Sequence, residues 1–389
     1  VPGFQARPPG SARLVVQTGS MIADCSAGPV ATAVRGYGSK AMTLSNRDLS
    51  ELLAREETEQ DAPHRRRALQ RASRAALSWE VEAAAVATAG RSVTELPSVG
   101  PWVGQFLEEW MASPPDPMPE PPVTRQGFLT MAEVRDTPGL DEWRRAIHAD
   151  LQMHTTYSDG RASLEAMVEG AAARGHAFVG ITDHSVGLPI ANGMSEERLA
   201  EQAEHIRRLN EDLGGRIRVL HSIEMNLSPI GEGDMSAEAL AKLDLVLGTF
   251  HSDLRVKEDQ TERYLAAVRN PTVHVLAHPR CRMFNRRPGL QADWPRVFAE
   301  AASLDKAVEI DATPHRQDLD VALLAHAREA GVRISMGTDS HSVGELDCLE
   351  YGLAAAIRGG IDRDRILNFQ PVEDVLAWAA DVRGRLGAG

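Results

Sequence analysis

Seven short apolar runs recur between residues 150 and 336, and helical patterns separate most of them. Short runs of aliphatic and β-branched residues indicate buried strands, whereas apolar residues spaced at i, i+3 and i+4 indicate helices. Strands that alternate with helices favour a parallel sheet and an α/β fold. The runs are Asp150–Met153, Phe178–Thr182, Arg218–Ile223, Leu243–Phe250, Val273–Ala277, Ala307–Ile310 and Val332–Met336.

An acid, amide or imidazole stands at the carboxyl end of every run. These residues are Gln152, His154, Asp183, His184, Glu224, His251, His278, Asp311, Asp339 and His341. Right-handed crossovers place the carboxyl ends of parallel strands on one face, which is where the active sites of barrels lie. A single Asp-His pair often serves as a capped turn, but seven such strand ends are hard to explain as core histidines. The pattern therefore predicts one polar centre.

Two helices of this region have clear ends in the sequence. Ser163 is placed to cap a helix after the Asp159–Gly160 turn, and Gly175 is placed to end it. A longer amphipathic helix runs from about Glu196 to Leu213 and should end at Gly214–Gly215.

The rest of the chain divides by composition into three further segments. Residues 1–41 are rich in Gly, Ser, Ala and Pro, and we expect a poorly ordered extension, with Met42 as a possible natural start. Residues 42–112 have helical patterns and should form a small all-α domain. Residues 113–127 contain a proline-rich stretch, typical of an extended linker, and precede the main domain at 128–389.

Two features of the helical segment have alternative interpretations. Arg67, Arg71 and Arg74 share one helix face, which is either a solvated surface or a phosphate contact. The turn before Trp102 is a possible helix-hairpin-helix, in which backbone N–H groups meet a DNA phosphate. Its candidate DNA-binding residues are Val99, Gly100 and Gly104.

The composition says more about where the protein is located than about the reaction that it catalyses. The formal net charge of −13 disfavours loose adhesion to nucleic acid, although bound divalent cations would make a site locally positive. No apolar run is long enough to cross a bilayer. The cysteines Cys25, Cys281 and Cys348 are far apart and odd in number, which favours free thiols, a reducing compartment and a cytoplasmic protein. The sequence does not fix the oligomeric state.

The polar strand ends belong to longer motifs that follow one another along the main domain. They include Asp150–Gly160, Ile181–Ser185, Ser222–Asn226, Ala277–Arg280, Glu309–Asp318 and Gly337–Ser342. Through these motifs the sequence from about residue 149 to 368 resembles the PHP (polymerase and histidinol phosphatase) family, and the likeness is greatest to the C-terminal PHP domain of bacterial family X DNA polymerases. Residues 44–111 also resemble the small helical DNA-binding domain that begins those polymerases, but residues 111–149 are too few for a polymerase palm.

The resemblance implies a distorted seven-stranded (β/α) barrel with up to three divalent ions, usually zinc, manganese or iron. It assigns a first ion to Gln152, His154, Glu224 and Asp339, a second to Glu224, His251 and His278, and a third to Asp159, His184 and His341. Asp183 would orient a ligand from behind.

The chain departs from the family pattern at three positions. Gln152 stands where the family has histidine, Asn226 where aspartate is common, and Asp311 where asparagine is common. An amide oxygen is a weaker ligand than imidazole, so the first ion is expected to be loose, to be manganese, or to be absent.

The expected chemistry is phosphoester hydrolysis by water activated at the metal site, with DNA or a nucleotide as substrate. Glu224, His251, Asp339 and Arg280 are the expected catalytic residues. The candidates to clamp substrate phosphate are Arg280, Arg282, Arg286, Arg287 and Arg316. Three readings stay open: a 3′-5′ exonuclease or DNA-end phosphatase, a small-molecule phosphatase of the histidinol-phosphatase type, and a catalytically weakened DNA-binding protein.

Overall fold

A computed structural model describes residues 43–386, and its centre is a single sheet of seven parallel strands in sequential order. The strands are β1 (Ala149–Met153), β2 (Phe178–Ile181), β3 (Arg218–Asn226), β4 (Leu245–Thr249), β5 (Val275–Leu276), β6 (Ala307–Asp311) and β7 (Arg333–Gly337). A parallel bridge between Met153 and Ser340 brings the ends of β7 and β1 together, so the sheet is a nearly closed barrel. The predicted seven-stranded (β/α) barrel is confirmed.

The barrel is distorted at two strands. In β1 the register with β2 shifts between Asp150 and Met153, and β5 contains only two residues. All seven strands have buried interiors, as expected for a parallel sheet covered by helices.

Helices occupy most crossovers and pack on the outside of the barrel. In chain order from residue 46, the first four helices are α1 (Asn46–Glu59), α2 (Pro63–Ala76), α3 (Ala83–Thr88) and α4 (Pro101–Ala112). Around the barrel follow α5 (Met131–Arg135), α6 (Leu140–Ala146), α7 (Leu164–Ala173), α8 (Glu196–Leu213), α9 (Ala237–Leu240), α10 (Thr261–Arg269), α11 (Trp294–Ser303), α12 (Val321–Ala330), α13 (Leu349–Gly359) and α14 (Val372–Leu386). Short 3₁₀ helices lie at Val93–Glu95, Pro189–Ala191, Val343–Cys348, Arg363–Arg365 and Leu367–Phe369.

The helix ends predicted from the sequence are confirmed. The Ser163 side chain accepts a hydrogen bond from the backbone N–H of Ala166 at the start of α7, and Gly175 adopts a positive φ just after its end. The longer helix α8 ends at Gly214, which adopts the left-handed conformation. Both endings use the freedom of glycine at positive φ.

Helices α1–α4 surround an apolar cluster of their own. Leu49, Leu53, Leu69 and Leu107 pack there with the fully buried Trp79. Their outer surface contacts the barrel, since residues from 43 onwards form one compact unit. The domain boundary at the proline-rich stretch stays a prediction.

The segment after the proline-rich stretch ties the helices to the barrel. Arg125 donates through Nε to both carboxylate oxygens of Glu51 in α1, at 2.9 and 2.8 Å, and through Nη1 to Oδ1 of Asn285 at 2.7 Å. The carbonyl of Leu77 accepts hydrogen bonds from the Met131 N–H at 2.6 Å and the Tyr351 hydroxyl at 2.8 Å.

Three sequence predictions concern residues outside the described range: the poorly ordered extension at 1–41, the start at Met42 and the free thiol at Cys25. Cys281 and Cys348 are free thiols, as expected. Among residues 43–386, no helix is both long and apolar enough to span a membrane.

Candidate metal centre

Nine predicted ligands converge at the carboxyl end of the barrel. They lie in the last part of a strand or in the loop that follows it, and all but Asp159, His251 and His341 are buried. The nine are Gln152, His154, Asp159, His184, Glu224, His251, His278, Asp339 and His341. The structure thus brings together the residues that the strand-end rule selected, and their binding of metal stays a prediction.

The carboxylate of Glu224 stands at the middle of four imidazoles. Its Oε1 lies 2.9 Å from Nε2 of His278 and 3.2 Å from Nε2 of His251. Its Oε2 lies 3.2 Å from Nε2 of His154 and 3.5 Å from Nδ1 of His184. Each oxygen of this carboxylate thus has two imidazole nitrogens against it, and a carboxylate shared among so many metal-binding side chains is suited to bridge cations.

His154 also lies against a second carboxylate. Its Nε2 is 3.0 Å from Oδ1 of Asp339, and the three residues His154, Glu224 and Asp339 could hold one ion. Gln152 is beside them, and its amide nitrogen donates to Oε2 of Glu224 at 3.1 Å. The four residues assigned to the first ion are thus together, although Gln152 presents its NH₂ group to Glu224.

A second group contains His184, Glu224 and His251. The sequence-based assignment placed His278 with Glu224 and His251. The structure keeps His278 within hydrogen-bond distance of Glu224 and adds His184 to the group. This addition is a refinement, because His184 lies between two groups and presents Nδ1 to one and Nε2 to the other.

The third group lies nearest the surface. Oδ1 of Asp159 is 3.1 Å from Nε2 of His341 and 3.6 Å from Nε2 of His184. The ring of His154 is stacked between the rings of His184 and His341, with centroids 4.4 Å apart on both sides. Neutral imidazole is the form that binds metal, and three imidazole rings lie together here.

The electrostatics of the centre keep its carboxylates ionised. Burial works against the charge of Glu224, but the surrounding histidines outweigh it and hold its pKa well below the ordinary range. The same opposition holds at Asp339, where Arg316 and His154 lower the pKa. Burial lowers the pKa of His184 to about 4, so this ring is neutral at pH 7. Ionised carboxylates beside a neutral imidazole are ready to bind cations.

The residues present fit divalent metal ions. Both ring nitrogens of His154, Nδ1 of His184 and Oε1 of Gln152 are buried and have no hydrogen-bond partner among residues 43–386. Buried polar atoms without partners are rare in proteins, and a cation is one group that would satisfy these. Imidazole and carboxylate donors suit zinc, manganese and iron.

Close backbone approach shapes the centre at two glycines. A Cβ on Gly337 would lie 2.4 Å from Cβ of Gln152, so only glycine lets β7 pass β1 at this point. A Cβ on Gly160 would lie 2.7 Å from the carbonyl of His154, which explains the tight turn after Asp159. Asp339 itself has a φ of 49°, an uncommon conformation for a residue with a side chain.

Asp183 does not touch a ligand side chain. Its carboxylate accepts hydrogen bonds from the backbone and hydroxyl groups of Thr155 and Ser158 and from the amide of Gln202. Asp183 therefore acts on the ligands through the backbone of the loop between them, and its role in orienting a ligand stays a prediction. Asp183 fixes the loop that carries Asp159.

The five predicted phosphate arginines separate in the structure. Arg280 and Arg282 both donate to Oδ2 of Asp320, at 2.6 and 2.7 Å, and they line a cavity away from the metal centre. Arg282 is also buried over the ring of Phe128. Both guanidinium groups are thus engaged within the fold, which contradicts the predicted role of the two arginines at phosphate and of Arg280 in catalysis.

The other three arginines lie near the centre. Nη2 of Arg316 is 3.2 Å from Oδ2 of Asp339, so this guanidinium buttresses a ligand. Arg287 lines a cavity of about 350 Å³ together with His251 and His278, and its buried Nε has no partner among the described residues. Arg286 is exposed and faces a larger cavity of about 790 Å³. The two cavities meet at Asp159, Arg316 and His341.

Several residues behind the ligands were not predicted from the sequence. The Glu309 carboxylate accepts from the backbone N–H of His278 at 2.8 Å, and burial raises the pKa of Glu309 well above its ordinary value. Glu309 and Asp311 are two apart in β6, so strand periodicity places both on the same side of the sheet and was an available signal. Asn226 contacts Nδ1 of His251 through its Oδ1 at 3.1 Å and orients that ring.

The turn predicted to bind DNA lies within the helical region. Val99 is buried, Gly100 caps α4 and is exposed, and Gly104 packs closely on Thr94 of the preceding 3₁₀ helix. Contact of Val99, Gly100 and Gly104 with DNA stays a prediction.

A parallel barrel with a buried histidine and carboxylate cluster at its strand ends is the architecture of a metal-dependent hydrolase. Residues 150–301 match the PHP domain model.

Known proteins resemble different extents of the chain. It is 34% identical over 259 residues to the DNA polymerase/3'-5' exonuclease PolX of Bacillus subtilis, which covers 66% of this chain and 45% of that protein. It is 27% identical to a probable phosphatase of Citrobacter koseri, over 57% of this chain and 90% of that protein. The crystal structure of histidinol phosphate phosphatase from Lactococcus lactis, complexed with zinc, L-histidinol and phosphate, aligns with a TM-score of 0.37 and 17% identity, over 62% of this chain and 94% of that chain. The chain thus spans less than half of the length of the Bacillus relative.

Proposed function

We propose that this protein hydrolyses phosphoester bonds at a cluster of divalent metal ions, and that its substrate is a DNA end or a nucleotide. The observation that carries the proposal is Glu224, whose two oxygens lie within 3.5 Å of four histidines. Such a carboxylate is suited to bridge two cations. Pairs of cations bridged in this way serve in hydrolysis of phosphate esters.

The ligands named above would hold between one and three ions. When bound, divalent cations supply Lewis-acid activation of water and neutralise charge on a phosphoryl group. The chain's own contribution is to position these charges. Arg316 holds the Asp339 carboxylate, Asn226 orients His251, and Asp183 fixes the loop of Asp159. Positioning of this kind lets the site meet the transition state without reorganisation.

Arg287 is the arginine best placed to bind a phosphoryl oxygen. It lines the same cavity as His184, His251 and His278, and no carboxylate of the described residues lies within 4 Å of its guanidinium. A planar guanidinium with free N–H donors suits bidentate binding of phosphate.

A DNA end or nucleotide is favoured by the relative named as a polymerase and 3'-5' exonuclease, which matches at higher identity than the probable phosphatases. A second candidate is a small phosphomonoester. It is favoured by the probable phosphatase, because 90% of that protein is matched by just 57% of this chain. The matched part of this chain thus corresponds to almost the whole length of a protein that is named as a probable phosphatase.

The experiment measures metal content and turnover together. The purified chain is loaded with manganese or zinc, analysed for metal, and assayed on an aryl phosphate and on a labelled single-stranded oligonucleotide. We expect at least two ions per chain on the bridging argument, and turnover on one or both substrates. Glu224→Gln should lose bound metal and reduce turnover by more than about a hundredfold, since it removes the bridging charge.

Glu232→Gln is the matched control, because Glu232 is exposed and lies outside the cluster. It should keep both metal and activity. If Glu224→Gln kept full turnover, the cluster would not be the site of hydrolysis. If the loaded protein bound metal but cleaved neither substrate, the hypothesis of a catalytically weakened DNA-binding protein would be preferred to that of an enzyme.

A further inference from the structure

The larger cavity beside the metal centre has walls from two parts of the chain. Asp159, Asp339 and His341 of the centre lie at its inner end. Arg74, Ala75, Leu77 and Ser78 at the end of α2 line the cavity, and so do Met283, Phe284 and Arg286 in the loop after β5. At about 790 Å³ the cavity is far larger than one phosphate group requires.

Two arginines from these two segments have no acidic partner among the described residues. Arg74 and Arg286 are both exposed, and within the part of the chain that the structure describes neither has a carboxylate oxygen within 4 Å. Two other arginines of this cavity are already paired. Arg161 pairs with Glu345, and Arg316 pairs with Asp339. The cavity therefore has two exposed positive charges, those of Arg74 and Arg286, that no carboxylate of the described residues neutralises.

The wall that carries Arg74 is held firmly against the barrel. Leu77 follows Arg74 by three residues, and its carbonyl accepts the hydrogen bonds from Met131 and Tyr351 described above. Its side chain packs with Phe128 and Phe284. Burial and the charge of Arg316 lower the pKa of His315, and Arg74 adds to this effect, which is consistent with Arg74 facing the barrel loop.

A substrate with one phosphate would be served by the metal centre and Arg287 alone. A strand whose scissile phosphate lay at the centre would carry its next phosphate into the larger cavity, which is lined by two arginines without acidic partners among the described residues. We propose that Arg74 and Arg286 form a second phosphate subsite, through which the helical region takes part in the active site and selects oligonucleotide substrates. This inference rests on the proposed phosphoesterase function.

Binding of single-stranded DNA tests the subsite without any need for turnover. A fluorescein-labelled oligothymidylate is titrated with the full chain in the presence of a chelator, and anisotropy is followed at several salt concentrations. Arg74→Glu and Arg286→Glu should each weaken binding by about tenfold. The plot of log K against log salt has a negative slope, and each variant should make it less steep by about 0.7.

Arg71→Glu is the matched control. Arg71 is exposed on the same helix, and the same charge is reversed, but this residue does not line the cavity. It should weaken binding clearly less than Arg74→Glu does, because Arg71 does not line the cavity and adds only general attraction, which rising salt screens. Thermal unfolding of each variant verifies that the fold is intact.

Steady-state kinetics supply a second readout. In the loaded enzyme Arg74→Glu should raise KM for the oligonucleotide and leave KM for an aryl phosphate unchanged, since the latter has a single phosphate. Equal loss of binding in Arg74→Glu and Arg71→Glu would overturn the subsite in favour of general electrostatic attraction. Unchanged binding in Arg74→Glu and Arg286→Glu would overturn it as well. An absence of turnover on any substrate would instead count against the proposed function, and the binding comparison would still decide on the subsite.

Discussion

Glu224 and Asp320 show which residue contacts could be read from the sequence. Glu224 stands at a strand end, and the rule that parallel strands share one active face placed its four histidine neighbours beside it. Asp320 accepts hydrogen bonds from Arg280 and Arg282, which are about 40 residues away in the sequence. No periodicity or motif signals such a pair, so two arginines that the sequence assigned to phosphate proved to be structural.

Gln152 offers the sharpest prediction at the residue scale. Its amide nitrogen donates to Glu224, and its buried Oε1 has no partner among the described residues. Imidazole is a stronger ligand than an amide for zinc or manganese. We expect Gln152→His to raise affinity for one ion by about tenfold, or ~1.4 kcal/mol. Equilibrium dialysis followed by elemental analysis measures this change directly.

The control for that variant is Gln126→His. Gln126 is exposed and its amide contacts only the carbonyl of Pro121, so the new histidine should leave metal content unchanged. If Gln152→His bound no more metal than the natural chain, Gln152 would already be an adequate ligand.

At the scale of elements, the order of strands and helices followed from hydrophobic periodicity. The same pattern could not give the irregularities, because the two-residue strand β5 and the shifted register in β1 depend on neighbours across the sheet. The approach of β7 to β1 at Gly337 is another such detail. It closes the barrel under the metal centre, and nothing in the local sequence distinguishes this glycine from one in an ordinary turn.

Gly337→Ala tests that close approach. The added Cβ would meet Cβ of Gln152 at 2.4 Å and Oε1 of Glu309 at 2.8 Å, and neither neighbour has room to withdraw from the buried barrel. We expect a loss of about 1–3 kcal/mol in the free energy of unfolding, as for other overpacked cores. Urea denaturation measures it.

Gly344→Ala is the matched substitution, since a Cβ there would have no heavy atom within 4 Å. Its free energy of unfolding should change by less than about 1 kcal/mol. Equal stability of the two variants would mean that β7 and β1 can separate without cost.

At the scale of the whole molecule, the helical region packs against the barrel and its second helix borders the cavity at the metal centre. The sequence predicted the helices and the proline-rich stretch, but a composition pattern says nothing about which surfaces meet. The sequence therefore left two interpretations of the arginines on α2. In the structure Arg74 lines the cavity, whereas Arg71 does not. Docking of this kind is a property of two surfaces, and only the folded molecule brings them together.

Buried histidines at the opposite end of the barrel should make the folding stability depend on pH. His176 and His274 come just before β2 and β5, far from the strand ends that carry the ligands, and both are buried. Burial, helped by the charges of Arg383 and Lys306, lowers the pKa of His274 from 6.5 to about 3. Its Nδ1 accepts the backbone N–H of Val246 at 3.0 Å, which a protonated ring could not do.

The unfolded chain takes up a proton at His274 below pH 6.5, whereas the folded chain does not until about pH 3. Folding stability should therefore fall as pH drops through this window, by up to about 1.4 kcal/mol per unit for this residue. His274→Gln keeps an acceptor for Val246 and removes the proton site, so its free energy of unfolding should depend less steeply on pH between 7 and 5. His326→Gln changes an exposed histidine and should follow the natural chain. Urea denaturation at each pH, with chelator present, compares the three slopes. Equal slopes for His274→Gln and the natural chain would show that folding does not lower the pKa of His274.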